Sequence, residues 1–106
     1  MNMNMITDIK TLVKEKTKLE EPDKYQVIFL NDNITTQEFV IKVLKQIFNK
    51  TREDAVKITT YIQENGEGIV GTYVHEVAEQ KGIETTLIAR QEGFPLQVKV
   101  RKEGLK

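Results

Sequence analysis

Three short polar side chains in a row, Asn31, Asp32 and Asn33, follow the apolar run YQVIFL and precede a segment with helical periodicity. Asn carbonyls and an Asp carboxylate accept hydrogen bonds and suit a cation such as an ammonium group. Beside an apolar hollow they would form a ligand site of the ordinary kind, mostly greasy with a few convergent polar atoms. The same residues equally suit a turn and helix cap, their side chains satisfying their own backbone. Spacing alone leaves both readings open.

Little else in the chain offers chemistry. It has no cysteine, so disulfides, zinc–thiolate sites and a cysteine nucleophile are excluded. It has no serine, so a Ser/His/Asp triad is excluded. The single histidine, His75, has no ligand-spaced acids around it and reads as an exposed polar residue. The run GEGIVG lacks the Lys-Ser/Thr helix start of a phosphate loop. Paired acids such as Glu20 and Glu21, or Glu53 and Asp54, lie in charged surface stretches. The expectation is a binding module that is not an enzyme, with no cofactor and no metal.

The elements that must hold such a site can be read along the chain. Tyr25–Leu30 is a short β-branched and aromatic run, expected as a buried strand. Thr35 and Glu38 have capping-box spacing, so a helix is expected from Thr35. Phe39, Val40, Val43, Leu44, Ile47 and Phe48 then form one apolar helical face. Thr51 caps a second helix with Ala55, Ile58 and Ile62 inside it, and Gly66 stops it. Gly68–Val74 reads as a strand with Gly71 at a bulge or close contact. A third helix runs from about His75 to Gln91, anchored by Val77, Ala78, Leu87, Ile88 and Ala89 and weakened by Gly82. Leu96–Val100 alternates as a last strand. The order βααβαβ argues for an α+β fold, a three-stranded antiparallel sheet covered on one face by three helices.

The chain has 106 residues, enough for one modest core. Residues 1–23 are polar and charged, with Ile6, Ile9, Leu12 and Val13 at roughly helical spacing; they are expected as a flexible N-terminal arm. Residues 24–106 are expected to form the core domain. Sixteen basic and sixteen acidic side chains cancel, leaving no footprint for nucleic acid or an anionic membrane. No run approaches the roughly 20 apolar residues of a membrane span, and the N-terminus is unlike a secretory signal. Cytoplasmic residence is the remaining expectation.

Three blocks carry a family resemblance. KYQVIFLNDNITTQEFVIKVL resembles the ClpS signature, a strand running into Asn-Asp-Asp/Asn, then Thr, then Glu-Phe-Val and a long helix. GIVGTYVHEVAEQKG resembles the family's second strand and following helix start, and ARQEGFPLQV its approach to the last strand. The resemblance covers about residues 24 to 102. It implies an adaptor that binds the free α-amino group and bulky apolar first side chain of N-degron substrates (Leu, Phe, Tyr or Trp). It implies delivery of these to a ClpA- or ClpC-type AAA+ unfoldase working with the ClpP protease.

Site roles follow from the same resemblance. Asn31 matches the residue that accepts from the α-amino group and Asp32 the carboxylate that holds the same ammonium, partly through water, with Asn33 beside them; Thr35 matches a residue at the pocket edge and also caps the helix. Val40, Val43, Ile62 and Leu96 match apolar wall positions, for which plain core packing is the equal alternative. Glu76 and Lys81 match positions that contact the unfoldase's N-terminal domain, and the arm matches the extension engaged during hand-over. Three positions depart from the pattern: Gln37 and Thr59 stand where the family usually has Met, and Gln63 where it has His. They imply an altered first-residue preference toward larger aromatics. They also keep open an unfoldase-docking modulator that no longer reads N-termini.

Overall fold

The computed structural model describes residues 21–104, so the first twenty residues and the expectation of a flexible arm lie outside the described region. Six elements follow in the order expected: β1 (Lys24–Leu30), α1 (Gln37–Gln46), α2 (Arg52–Asn65), β2 (Glu67–Val74), α3 (His75–Gln91) and β3 (Gln97–Lys102). The strands form one antiparallel sheet in the order β2-β1-β3, with the helices on one face.

β1 is the central strand because its side chains are apolar on both faces. Val27 and Phe29 point beneath the helices and pair with Val100 and Val98 of β3. Ile28 points to the opposite face, between Ile69 and Lys99. Between β1 and β2 the register slips: Val27 faces Gly71 while Ile28 faces Ile69, leaving Val70 as the extra residue of a bulge. Gly71 is both at the bulge and in close contact. A Cβ there would lie 2.6 Å from Cε2 of Tyr73, whose ring covers the glycine.

The helix ends follow their caps, with one correction. α1 is capped by Thr36, whose hydroxyl accepts from Phe39 N–H at 3.2 Å. The expected cap, Thr35, serves the preceding turn instead, its N–H and hydroxyl both donating to Asp32. α1 also stops at Gln46, short of the apolar pattern; Ile47 and Phe48 stay buried but leave the helix. Asn49, with φ 55°, supplies the left-handed residue that turns the chain. Thr51 caps α2 as expected, accepting from Asp54 N–H at 3.1 Å, and Gly66 ends it at φ 87°.

α3 packs by a different face from the one its large residues mark. Its buried positions are Ala78, Gly82, Thr85 and Ala89, small residues that bring the helix backbone down on Val98 and Val100. Val77 and Leu87, expected as anchors, are exposed. Size misled the expectation, since a helix seated closely on a sheet needs small residues underneath.

Lys81 ties α3 to the end of α1. Its ammonium donates to Ile47 O at 2.7 Å and lies 5.7 Å from the Phe48 ring centre and 5.3 Å from that of Tyr73. A charge-assisted bond plus two cation–π contacts contributes about 1–3 kcal/mol. Lys81→Met, which retains the stem but not the charge, is therefore expected to lower stability by about that amount in urea titration, without changing peptide affinity.

Candidate functional site

The turn at the end of β1 is placed by the register on both sides. Leu30 pairs with Glu67 and with Gln97, so Asn31 emerges between Gly66 and Leu96. Asn31 N–H donates to Gly66 O at 2.8 Å, locking the turn against the C-terminal cap of α2. Leu96 is held by Arg90, whose guanidinium donates to Phe94 O at 2.8 Å and Leu96 O at 2.9 Å. Phe94 in turn packs on Phe39 of α1, ring centres 5.0 Å apart. The Lys42–Glu92 ion pair, 3.1 Å, spans the same α1–α3 junction. Three segments distant in sequence thus meet at Asn31.

Asp32 organises the turn. One carboxylate oxygen accepts from the N–H groups of Ile34 (2.8 Å) and Thr35 (2.6 Å), and the other from the Thr35 hydroxyl (2.7 Å). Partial burial pushes the Asp32 pKa up, but the Thr35 N–H and hydroxyl, the Ile34 N–H and the charge of Arg90 outweigh it. The net effect holds the carboxyl below the usual carboxylate value. A carboxyl depressed on folding contributes stability above its unfolded pKa, and that contribution is lost as pH falls through the folded one. Asp32→Asn should therefore flatten the acid limb of the stability profile below about pH 4. Thermal melts across pH 2–7 measure this; an unchanged acid limb would contradict it.

Asn31 and Asn33 are exposed, and Asn31's side chain makes no hydrogen bond with another described residue. Val40, Val43, Thr59, Ile62 and Leu96 lie behind the turn and are buried, with 8, 1, 5, 4 and 2% of their surface exposed. Val40, Val43, Ile62 and Leu96 belong to one continuous apolar cluster that joins α1, α2 and the approach to β3. Thr59 turns its hydroxyl onto its own helix, donating to Ala55 O at 2.7 Å, so the methyl is left to face its apolar neighbours. Gln63 is exposed one turn before the Gly66 cap, and Gln37 is exposed at the first position of α1.

Other features missing from the sequence reading support this arrangement. Gly68 is buried, and a Cβ there would lie 2.8 Å from Ile62 Cγ1, so the glycine makes room for that wall residue. Arg90 carried a readable signal as a cation in the last turn of a helix, but not its target. Ile34, 64% exposed, adds an apolar side chain at the tip of the turn. His75 lies at the other end of β1, stacked edge-on to Tyr25 at 4.5 Å, away from the turn. Glu76 is exposed in the first turn of α3, whereas Lys81 is engaged within the fold. A groove of about 580 Å³ between α2 and β2, lined by Ile58, Tyr61, Asn65, Ile69 and Arg101 among others, includes none of the site residues read from the sequence.

Among the described residues no group of three His, Cys, Asp or Glu could hold a metal ion, and no helix is long and apolar enough to cross a membrane. The turn offers the exposed side chains of Asn31 and Asn33 and a fixed negative charge at Asp32, with the apolar residues behind it nearly covered.

Comparison with known proteins identifies the family. Residues 20–99 match the family model described as ATP-dependent Clp protease adaptor protein ClpS. The ClpS adapter of Clostridium acetobutylicum is 42% identical over 96 residues, covering 91% of this chain and 95% of the relative. That of Campylobacter jejuni subsp. jejuni (strain 81-176) is 45% identical over 94 residues, covering 89% and 98%. Among solved structures, Agrobacterium tumefaciens ClpS2 bound to L-phenylalaninamide superposes with a TM-score of 0.75 at 32% identity, covering 77% of this chain and 99% of that one. With the family model spanning most of the chain and the fold reproduced, the chain belongs to the ClpS family, the adaptors of the ATP-dependent Clp protease.

Proposed function

We propose that this chain reads the first residue of other proteins and carries them to the unfoldase of a Clp protease. The observation that supports it most is the position of Asn31. Its side chain is exposed and makes no hydrogen bond with another described residue, next to a turn whose carboxyl is held below the usual carboxylate pKa. A free α-amino group bonds to Asn31 and feels the Asp32 charge, while the first side chain enters against Val40, Thr59, Ile62 and Leu96. The Asp32 oxygens already serve the turn, so Asp32 acts mainly by holding the loop and by its charge; Gln63 offers one further acceptor. The related ClpS2 was solved with L-phenylalaninamide, a ligand that joins a free α-amino group to an aromatic side chain.

Burying one large apolar side chain yields about 1.5–3 kcal/mol, and each hydrogen bond to a charged ammonium about 1.5–3 kcal/mol, partly offset by the loss of peptide freedom. The Kd of about 1 μM expected in this reading corresponds to about −8 kcal/mol. The test is a titration of peptides that differ only in the first residue. Leu-, Phe-, Tyr- and Trp-start peptides should bind, and Gly- and Asp-start peptides should not; equal affinity across the series would remove the reading.

Thr59, buried beside the apolar cluster, is the position that carries the first-residue preference in this reading. It is smaller than the Met usual in the family and has its hydroxyl turned away, so aromatic first residues fit better than Leu. Thr59→Met should shift the preference toward Leu by about 1–2 kcal/mol, roughly 5- to 30-fold in relative affinity. A wild-type preference for Leu over Phe and Trp would defeat this.

Delivery uses a second surface. The unfoldase's N-terminal domain, of ClpA or ClpC type, contacts the first turn of α3 around Glu76, and residues 1–23 are the segment it engages during hand-over. A second reading, docking on the unfoldase without reading N-termini, draws on two observations: the wall residues are nearly covered, and Asp32's oxygens are taken by the turn. The peptide series separates the two, because this reading expects no binding of any member.

A further inference from the structure

β2 is an edge strand, since the sheet order β2-β1-β3 leaves its outer side without a strand partner among the described residues. An unpaired edge carries a row of backbone donors and acceptors and suits an extended chain. The bulge at Val70 bends this strand, so its straight stretch is Glu67–Ile69. That stretch lines the groove of about 580 Å³ between α2 and β2. Tyr61 borders it on the helix side, its Cδ1 3.2 Å from where a Cβ of Gly68 would lie. Ile69 borders it on the open face of the sheet, where Arg101 reaches Glu67 at 3.7 Å. Tyr61 and Ile69 are 56 and 47% exposed, two large apolar side chains flanking one strand edge.

The groove adjoins the Asn31 turn. Gly66, the residue before β2, accepts from Asn31 N–H at 2.8 Å. Its neighbours on either side, Asn65 and Glu67, both line the groove. Gly68 lies two residues beyond Gly66, about 7 Å along the strand. A chain that starts at Asn31 and continues extended along β2, at about 3.3 Å per residue, brings its third to fifth residues beside Glu67–Ile69. The shortness of the straight edge narrows the choice of occupant. So little pairing is too weak to hold a free peptide, but it adds to the affinity of a chain already anchored next to it. A second copy is a poorer occupant. Two-fold pairing along the whole of β2 would centre on Val70 and Gly71, where the bulge lies, and pairing confined to Glu67–Ile69 would have no anchor.

We propose that the outer edge of β2 is a second subsite, which takes the main chain of the substrate's third to fifth residues as a short added strand. Side chains alternate along that strand, one set against Tyr61 and the other against Ile69 and Arg101. This subsite, which rests on the first-residue reading above, is tolerant of sequence. The main chain supplies the bonds, and the flanks favour apolar side chains. It requires the start of the substrate to be unfolded and extended over those residues.

The test uses the wild-type full-length chain and two ligands. L-Phenylalaninamide offers a first residue alone, and a Phe-start hexapeptide amide offers the edge-binding residues as well. Calorimetric titration should show the hexapeptide binding about tenfold more tightly, the worth of one or two added hydrogen bonds. N-methylation of its amides, one position at a time from the third residue, should remove that gain at alternate positions only, because alternate N–H groups of a strand face the same neighbour. In Tyr61→Ala, an exposed substitution, the hexapeptide should lose affinity several-fold while phenylalaninamide is unchanged. Equal affinity of the two ligands, or a gain indifferent to methylation, would overturn the subsite and leave the first-residue reading standing. If neither ligand binds, that reading fails and the subsite with it. A dimer seen by sedimentation in the wild type and lost in Tyr61→Ala would give the edge to a second copy and would also overturn the proposal.

Discussion

Asn31→Ala should weaken binding of a Phe-start peptide by about 10- to 100-fold while leaving the fold intact. The side chain is exposed and makes no hydrogen bond with another described residue, so its removal breaks nothing inside the domain. The backbone bond from Asn31 N–H to Gly66 O is untouched by the substitution. What disappears is an acceptor for a charged donor, about 1.5–3 kcal/mol when well formed, and that converts to the stated range. Calorimetric titration measures it, with a thermal melt as control. Unchanged affinity would remove Asn31 from the site. A collapse of the melt would give it a structural role instead.

Asp32→Ala is expected to act on both fold and binding. Two backbone N–H groups and the Thr35 hydroxyl lose their acceptor, and Arg90 loses a nearby counter-charge. Loss of a side chain that caps backbone donors costs about 1–2 kcal/mol, roughly 4–16 °C in Tm for a domain of this size. The turn that presents Asn31 loosens as well, so peptide affinity should fall at least tenfold. Asp32→Asn separates the contributions. One amide oxygen can still accept from the turn, which preserves much of the Tm, but the negative charge that the proposed function sets against an ammonium is gone. If Asp32→Asn binds peptide as tightly as the wild type, charge has no part in recognition and Asp32 serves the loop alone.

Much of this architecture was legible in the sequence because its signals are local. Thr51 and Gly66 mark the ends of α2 by hydrogen-bond chemistry and backbone freedom, and both act in the structure as they read. The period-2 pattern of β3 and the β-branched run of β1 likewise need no distant partner to be recognised. Misreadings arose where a distant or competing partner decides. Thr35 had good capping spacing, but Asp32 engages it first and the cap moves to Thr36. Val77 and Leu87 looked like anchors by size, yet the fully buried positions of α3 are the small residues Ala78, Gly82, Thr85 and Ala89, with Ile88 partly buried against the core. Arg90 and Gly68 shape the candidate site through contacts across the fold, with Leu96 O and Ile62, and no spacing rule reaches that far. Lys81 was legible only as a position matched by family resemblance; its bond to Ile47 O became visible in three dimensions.

The most direct test uses two peptides identical but for their first nitrogen, Phe-start with a free α-amino group and the same peptide acetylated, titrated into the purified full-length chain at pH 7. The free peptide should bind with a Kd of order 1 μM. The acetylated one should show no measurable binding, because it brings an uncharged amide to the turn where the proposed function needs an ammonium. Equal affinity for the two, or no affinity for either, would contradict the claim that the Asn31–Asp32 turn holds a charged chain start.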